Sequence, residues 1–183
     1  MAKTASAKGK AKILASEMIY QGPVFGLRRD DVIEPSGLRA RREVIAHPGS
    51  VVVLPVLDDG RIVMIRQYRH ATRQYLWELV AGRKEPEETP KHGAARELLE
   101  ETGYRAKKLT VFLELFPTPG FLEERMYLVL AKGLKAGEAR PEEDEKIEVR
   151  AYKAKEITEM MKKGRLKDGK SIAGILYYLT FLR

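Results

Sequence analysis

The order of elements written into this chain predicts an α/β (α+β) fold, a mixed β-sheet sandwiched between helices. Three observations carry that expectation. Short runs rich in β-branched and apolar residues recur at 51–57, 61–65, 76–80, 109–115, 125–131 and 147–152. One sharply bounded helix is inserted among them at residues 90–102, and two further helical patterns close the chain near 155–163 and 171–182.

Each element has a local reason. Residues 1–12 carry Lys3, Lys8, Lys10 and Lys12 among Gly, Ala, Ser and Thr, which reads as a disordered basic tail. Residues 13–46 alternate apolar and polar groups, and Glu34-Pro35-Ser36-Gly37 is a turn between two strands. This predicts a small N-terminal β extension over 13–47, ahead of a main domain over 48–183. Asp58-Asp59-Gly60 between two β-branched runs is a strong hairpin signal. The strand at 76–80 leads into Ala81-Gly82. Thr89 is a good N-cap for the inserted helix, Pro90 suits its first position, and Gly103 suits the left-handed residue past its end. Ser171 is the expected cap of the last helix.

Composition excludes several classes. A chain of 183 residues can bury a sizeable core, and 44% hydrophobic with 33% charged residues describes an ordinary globular protein. With no cysteine there are no disulfides, thiolate metal sites or cysteine nucleophiles. No apolar run approaches the roughly 18–20 residues of a membrane span, so no membrane partner is expected. The first twelve residues lack the apolar core of a secretory signal, which makes the cytoplasm the default location. The net charge of +8 falls to +4 once the four tail lysines are set aside, and no aromatic-basic pattern for reading bases accompanies it. No nucleic-acid partner is therefore expected, although the excess charge can steer an anionic substrate inward.

The inserted helix carries the chemistry. At about 100° per residue, Ala94, Ala95, Leu98, Leu99 and Thr102 form one stripe, with Gly93, Glu97, Glu100 and Glu101 on the opposite side. One face is expected to pack and the other to carry charge. Glutamates at i and i+4 repel by roughly 0.2–0.5 kcal/mol per pair, and Arg96, pointing to the flank, offsets only part of that. The face is either a plain solvated run or a platform for a hard divalent cation, magnesium first and manganese second.

Gly82, Glu88, Arg96, Glu97, Leu98, Glu100, Glu101 and Gly103 fall where the signature of the Nudix hydrolases requires them, so residues 82–104 resemble that family. Tyr104 departs from it, standing where the signature has a bulky aliphatic residue. The resemblance implies the Nudix fold and metal-dependent hydrolysis of a nucleoside diphosphate linked to another group. Further segments resemble the ADP-ribose pyrophosphatase branch: Arg42-Glu43-Val44, His47-Pro48-Gly49, Gln67-Tyr68-Arg69, Trp77-Glu78-Leu79-Val80-Ala81-Gly82, and Pro119 sixteen residues after Gly103. Val80 stands where many members have proline.

That branch implies roles residue by residue. Glu97 and Glu101, the carbonyl of Ala81, and Glu100 and Glu145 would hold two or three magnesium ions. Glu143 takes the position of the catalytic base, with Glu142 and Asp144 a one-residue slip away, and Glu100 joins it as a catalytic candidate. Arg96 and Glu88 are expected to be a structural pair. Arg69 is a candidate phosphate contact because a guanidinium grips phosphate oxygens bidentately. Arg41, Arg42, Glu78 and Pro119 are further substrate candidates. Phe25 reads either as an aromatic stacked on adenine or as a strand core residue. The implied reaction is ADP-ribose to AMP and ribose 5-phosphate in a homodimer, against a broader nucleoside diphosphate-sugar or dinucleotide hydrolase, or a nucleotide-sensing module without turnover.

Overall fold

The structure, a computed structural model, describes residues 9–138 and 146–183. They belong to two compact units: one holds the chain up to Pro48 with Thr118–Glu124, the other Gly49–Pro117 and Arg125–Arg183.

The first unit is an antiparallel meander of β1 (Lys12–Gln21), β2 (Gly26–Ile33) and β3 (Arg39–Ala46). Three strands replace the expected two because the chain reverses twice. Gly22 N–H donates to the Phe25 carbonyl at 3.0 Å, and Gly37, at φ +88°, closes the second reversal onto Glu34 at 2.8 Å. β1 begins at Lys12, inside the stretch expected to be tail. The segment Thr118–Glu124 is tied to β3, with Ile45 N–H on Phe121 O at 2.7 Å and Glu123 N–H on Ile45 O at 3.1 Å.

The second unit contains β4 (Ser50–Pro55), β5 (Ile62–Arg69), β6 (Gln74–Glu78), β7 (Val80–Arg83), α1 (Pro90–Thr102), β8 (Arg105–Leu115), β9 (Met126–Lys135), β10 (Glu148–Tyr152), α2 (Ala154–Lys162) and α3 (Gly169–Phe181). Its strands form two sheets, β7-β4-β9-β8 and β10-β5-β6, with β4 and β9 parallel and the other neighbours antiparallel. β4 is buried along its whole length. Its alternation sends Val52 and Leu54 into a cluster with Ile157, Met160, Ile175 and Tyr178 of α2 and α3. Val53 enters a second cluster with Ala94 and Leu98 of α1, where Tyr104 packs as well. Helices thus cover both faces, as the element order predicts.

Two strand expectations are corrected. The Asp58-Asp59-Gly60 turn forms, with Leu57 N–H on Arg61 O at 2.9 Å and Gly60 at φ +81°, but the flanking runs do not build a hairpin. A single Val56–Ile62 bridge joins them, after which they part into different sheets. β4 needs both of its edges for β7 and β9, which no hairpin partner could share. The run at 76–80 likewise splits at the fully buried Leu79 into β6 and β7, which belong to different sheets.

Helix α1 has the expected limits. Thr89 Oγ1 accepts from His92 N–H at 3.3 Å, Pro90 is the first residue, and Gly103 closes the end at φ +74°. Its facing is corrected. Gly93, Glu97, Glu101, Ala94 and Leu98 are the buried positions, one continuous arc, while Ala95 is exposed and Leu99 only half-buried. Small residues beside the glutamates let the backbone approach closely enough to take the acidic stripe inward. Among the described residues, no helix is long and apolar enough to cross a membrane.

Leu98 is fully buried between α1 and the sheet. Leu98→Ala is expected to cost about 2–5 kcal/mol, read as a lower urea midpoint at unchanged slope.

Candidate active site

The site grows from the five residues that carry the chain from one sheet to the other, Glu78 to Gly82. On the β7 side, the N–H of Ala81 donates to Oε2 of Glu101 at 3.2 Å. At Gly82 an added Cβ would lie 1.9 Å from Oε1 of Glu97, so a glycine there is what lets that carboxylate rest on the strand. Gly93 does the same for Glu88, whose Oε2 would meet an added Cβ at 2.8 Å.

Arg96 answers the acidic stripe more fully than its place on the flank predicts. Its Nε and Nη2 donate to the two oxygens of Glu88 at 3.1 and 3.2 Å, and its Nη1 donates to Glu97 at 2.7 Å and Glu100 at 3.0 Å. Nη2 also reaches the Arg83 carbonyl at 3.1 Å, pinning the loop before α1. Burial works against the charge of Arg96, but Glu88 and Glu97 outweigh it and hold the guanidinium protonated well above its ordinary range. Burial would push the Glu88 carboxyl up; the Arg96 hydrogen bonds reverse that and keep it low. The expected structural pairing of Arg96 with Glu88 is therefore present.

On the β6 side lies a second network. Glu78, 1% exposed, accepts Arg69 Nε and Nη2, each at 2.8 Å, and Lys170 Nζ at 2.5 Å. Lys170 also pairs with Asp168 at 3.0 Å. Burial would raise the Glu78 carboxyl, but Arg69 and Lys170 hold it below the usual range. Glu78 is the main reason the Arg69 guanidinium is held above its ordinary pKa, and Glu101 and Asp168 add to it, so Arg69 stands in the field of the α1 carboxylate.

The cap of α3 is Asp168, not Ser171. Asp168 Oδ2 accepts from Ser171 N–H at 3.1 Å and from its hydroxyl at 2.5 Å, while Ser171 Oγ accepts the N–H of Leu79 at 2.6 Å. Leu79 is buried where the strand breaks, and its amide has no ladder partner to use, so the serine hydroxyl is drawn inward. Asp168 and Lys170 escaped the sequence reading; an aspartate three residues ahead of Ser171 was the available cap signal.

Glu97 lies against Gly82, Glu101 accepts the Ala81 amide, and Glu97 and Glu100 share Arg96 Nη1; their carboxylates are hard oxygen donors, the chemistry that suits magnesium or manganese. Among the described residues, no three acidic or histidine side chains converge as a ready-made metal cage. Arg42, Phe25 and Pro119 lie in the first unit. Arg42 pairs with Glu34 at 2.5 Å and Arg41 with Asp31 at 2.8 Å. Phe25 is exposed in the first reversal, its ring 5.9 Å from that of Tyr20, and Pro119 is exposed. Glu143 and Glu145 lie outside the described residues.

Because the Glu78 pKa is depressed on folding, its contribution to stability is present above the unfolded value of about 4.3 and is lost as pH falls through the folded value. Glu78→Gln removes the carboxylate shared by the part-exposed Arg69 and by Lys170, which keeps Asp168, and should cost about 1.5–3 kcal/mol at pH 7, a deficit against the wild type that shrinks in melts run below about pH 4.

Residues 46–174 match the NUDIX domain. An ADP-ribose pyrophosphatase of Bacillus subtilis (strain 168) is 38% identical over 168 residues, covering 91% of each chain. A methanol dehydrogenase activator of Bacillus methanolicus is 35% identical over 168 residues, again 91% of each. The crystal structure of an ADP compounds hydrolase superposes with a TM-score of 0.82 at 23% identity, covering 95% of both chains, which shows the shared fold. An inward-turned acidic helix beside a glycine strand, a family match across most of the second unit and a relative alike over nine-tenths of its length agree: the chain belongs to the Nudix hydrolase family.

Proposed function

We propose that the protein hydrolyses the diphosphate bond of ADP-ribose, giving AMP and ribose 5-phosphate, with magnesium bound and manganese as a substitute. The observation that carries this reading is the burial of Glu97 and Glu101 against Ala81 and Gly82, three residues on from the Glu78 carboxylate that holds the Arg69 guanidinium. An acidic platform and a bidentate cation in one neighbourhood suit a metal-bound diphosphate. The ADP-ribose pyrophosphatase named among the relatives supports the choice of substrate.

Glu97 and Glu101, with the Ala81 carbonyl and Glu100, would hold the metal. A divalent metal held by these residues would supply Lewis-acid polarisation of the phosphoryl oxygens and a more acidic water. Arg69 grips the diphosphate and orients it, since positioning and charge stabilisation dominate such displacements. Arg96, bonded to Glu88, Glu97 and Glu100, keeps the glutamates in register. Glu143 accepts the proton of the attacking water and Glu145 adds a ligand; both assignments rest on the resemblance to the ADP-ribose branch.

The test is release of AMP from ADP-ribose with magnesium. Glu101→Gln should lower it at least about 100-fold, the order expected when a charge-stabilising group is lost. Unchanged turnover in that variant would remove the metal assignment. Cleavage of ADP-glucose or GDP-mannose in place of ADP-ribose would move the reading to a broader nucleotide-sugar hydrolase.

We also infer a homodimer formed through β1. All ten of its residues are exposed, Ile13, Leu14, Met18, Ile19 and Tyr20 among them, and β1 is an edge strand of its sheet. A long apolar edge of this kind is normally covered. Sedimentation should give twice the chain mass of 20.8 kDa, and Ile19→Lys should shift it toward the monomer; a monomeric wild type overturns the inference.

A further inference from the structure

We propose that Lys170 is a positioning residue for catalysis: acting through Glu78, it fixes the edge on which the Arg69 guanidinium meets the diphosphate. The inference rests on the reading of Arg69 as a diphosphate contact.

Lys170 occupies an unfavourable place. It lies in the first turn of α3, where the helix dipole disfavours a cation, and its side chain is only 13% exposed although lysine is seldom buried. Two carboxylates hold it there, Glu78 at 2.5 Å and Asp168 at 3.0 Å. Asp168 is committed in turn to the α3 cap and to Ser171, whose hydroxyl binds the Leu79 amide. The ammonium is therefore anchored to the same sheet crossing that carries Ala81 and Gly82.

Glu78 transmits that anchorage. One oxygen accepts Arg69 Nε, and the other accepts both Arg69 Nη2 and Lys170 Nζ. A guanidinium has five N–H donors in a rigid plane. With one edge docked on Glu78, Nη1 and the outer proton of Nη2 lie on the edge that faces away. Arg69 is 39% exposed, and Nη1 takes no part in the Glu78 pairing.

The charges explain why the lysine is needed. Arg69 and Lys170 balance Glu78 and Asp168. Without Lys170 the cluster carries one excess negative charge close to a site that must accept an anion, and Glu78 is free to turn, taking the guanidinium with it. The loss should fall on substrate binding more than on the chemical step.

Steady-state hydrolysis of ADP-ribose by the full chain tests this, with thermal melts in parallel, for Lys170→Met, Arg69→Ala, the double variant and Lys170→Arg. Lys170→Met should raise KM about tenfold, the lower end of what an outer supporting contact is worth, and change kcat by less than about threefold. In the Arg69→Ala background the same change should move KM by less than about twofold, because the contact it serves is gone. Lys170→Arg keeps the charge and should restore KM to within about twofold of the wild type. An equal KM effect in both backgrounds, or none in either, overturns the inference while leaving Arg69 as a diphosphate contact. An Arg69→Ala variant with wild-type KM removes the Arg69 reading and this inference with it. If Lys170→Met does not fold, Lys170→Gln takes its place with the same expected outcomes.

Discussion

Two carboxylates on one helix can be turned onto a strand only if something nearby answers their charge, and the second unit is arranged around that requirement. Arg96 spans Glu88, Glu97 and Glu100, and the Ala81 amide takes one oxygen of Glu101. The Arg96 contacts depend on Gly82 and Gly93 having no side chains, because an added Cβ at Gly82 would fall on the Glu97 carboxylate and one at Gly93 would crowd that of Glu88. A charge-assisted network of this kind is costly to leave half satisfied. Its members therefore hold one another in place, and the donor oxygens have little freedom to wander.

The same five residues serve the opposite side. Leu79 ends one sheet and begins the approach to the other, and its amide is handed to Ser171 because no strand lies alongside to take it. Glu78 faces Arg69 and Lys170, while Ala81 and Gly82 face α1. Two ionic networks, one with carboxylates in excess around Arg96 and one in which Arg69 and Lys170 balance Glu78 and Asp168, are thus separated by three residues of backbone. A diphosphate with bound metal needs both signs of charge at short range, and a sheet crossing supplies them without a long loop.

Much of this was legible in the residues and some of it was not. Thr89, Pro90 and Gly103 placed α1 to the residue because capping is a local matter decided within one turn. The facing of α1 differs from the periodicity for the opposite reason: periodicity ranks residues by polarity, whereas Glu101 is buried on the Ala81 amide and Glu97 rests at Gly82, both distant in sequence, with Arg96 answering the Glu97 charge. The hairpin at Asp58-Asp59-Gly60 failed in a similar way. The turn formed, but β4 found better neighbours in β7 and β9. Serine is a good cap, which is what residue 171 suggests locally, yet the Leu79 amide claims its hydroxyl from 92 positions away.

By itself the sequence determined the helix limits, the turns, the alternation of strands and the signature positions, since each depends on φ/ψ preference, capping or spacing within a few residues. Only the tertiary structure decided which way the acidic stripe faces, which strands become neighbours, and that Lys170 and Asp168 join Glu78 and Arg69. Those outcomes depend on burial and charge compensation between segments far apart in the chain, and no local preference encodes them.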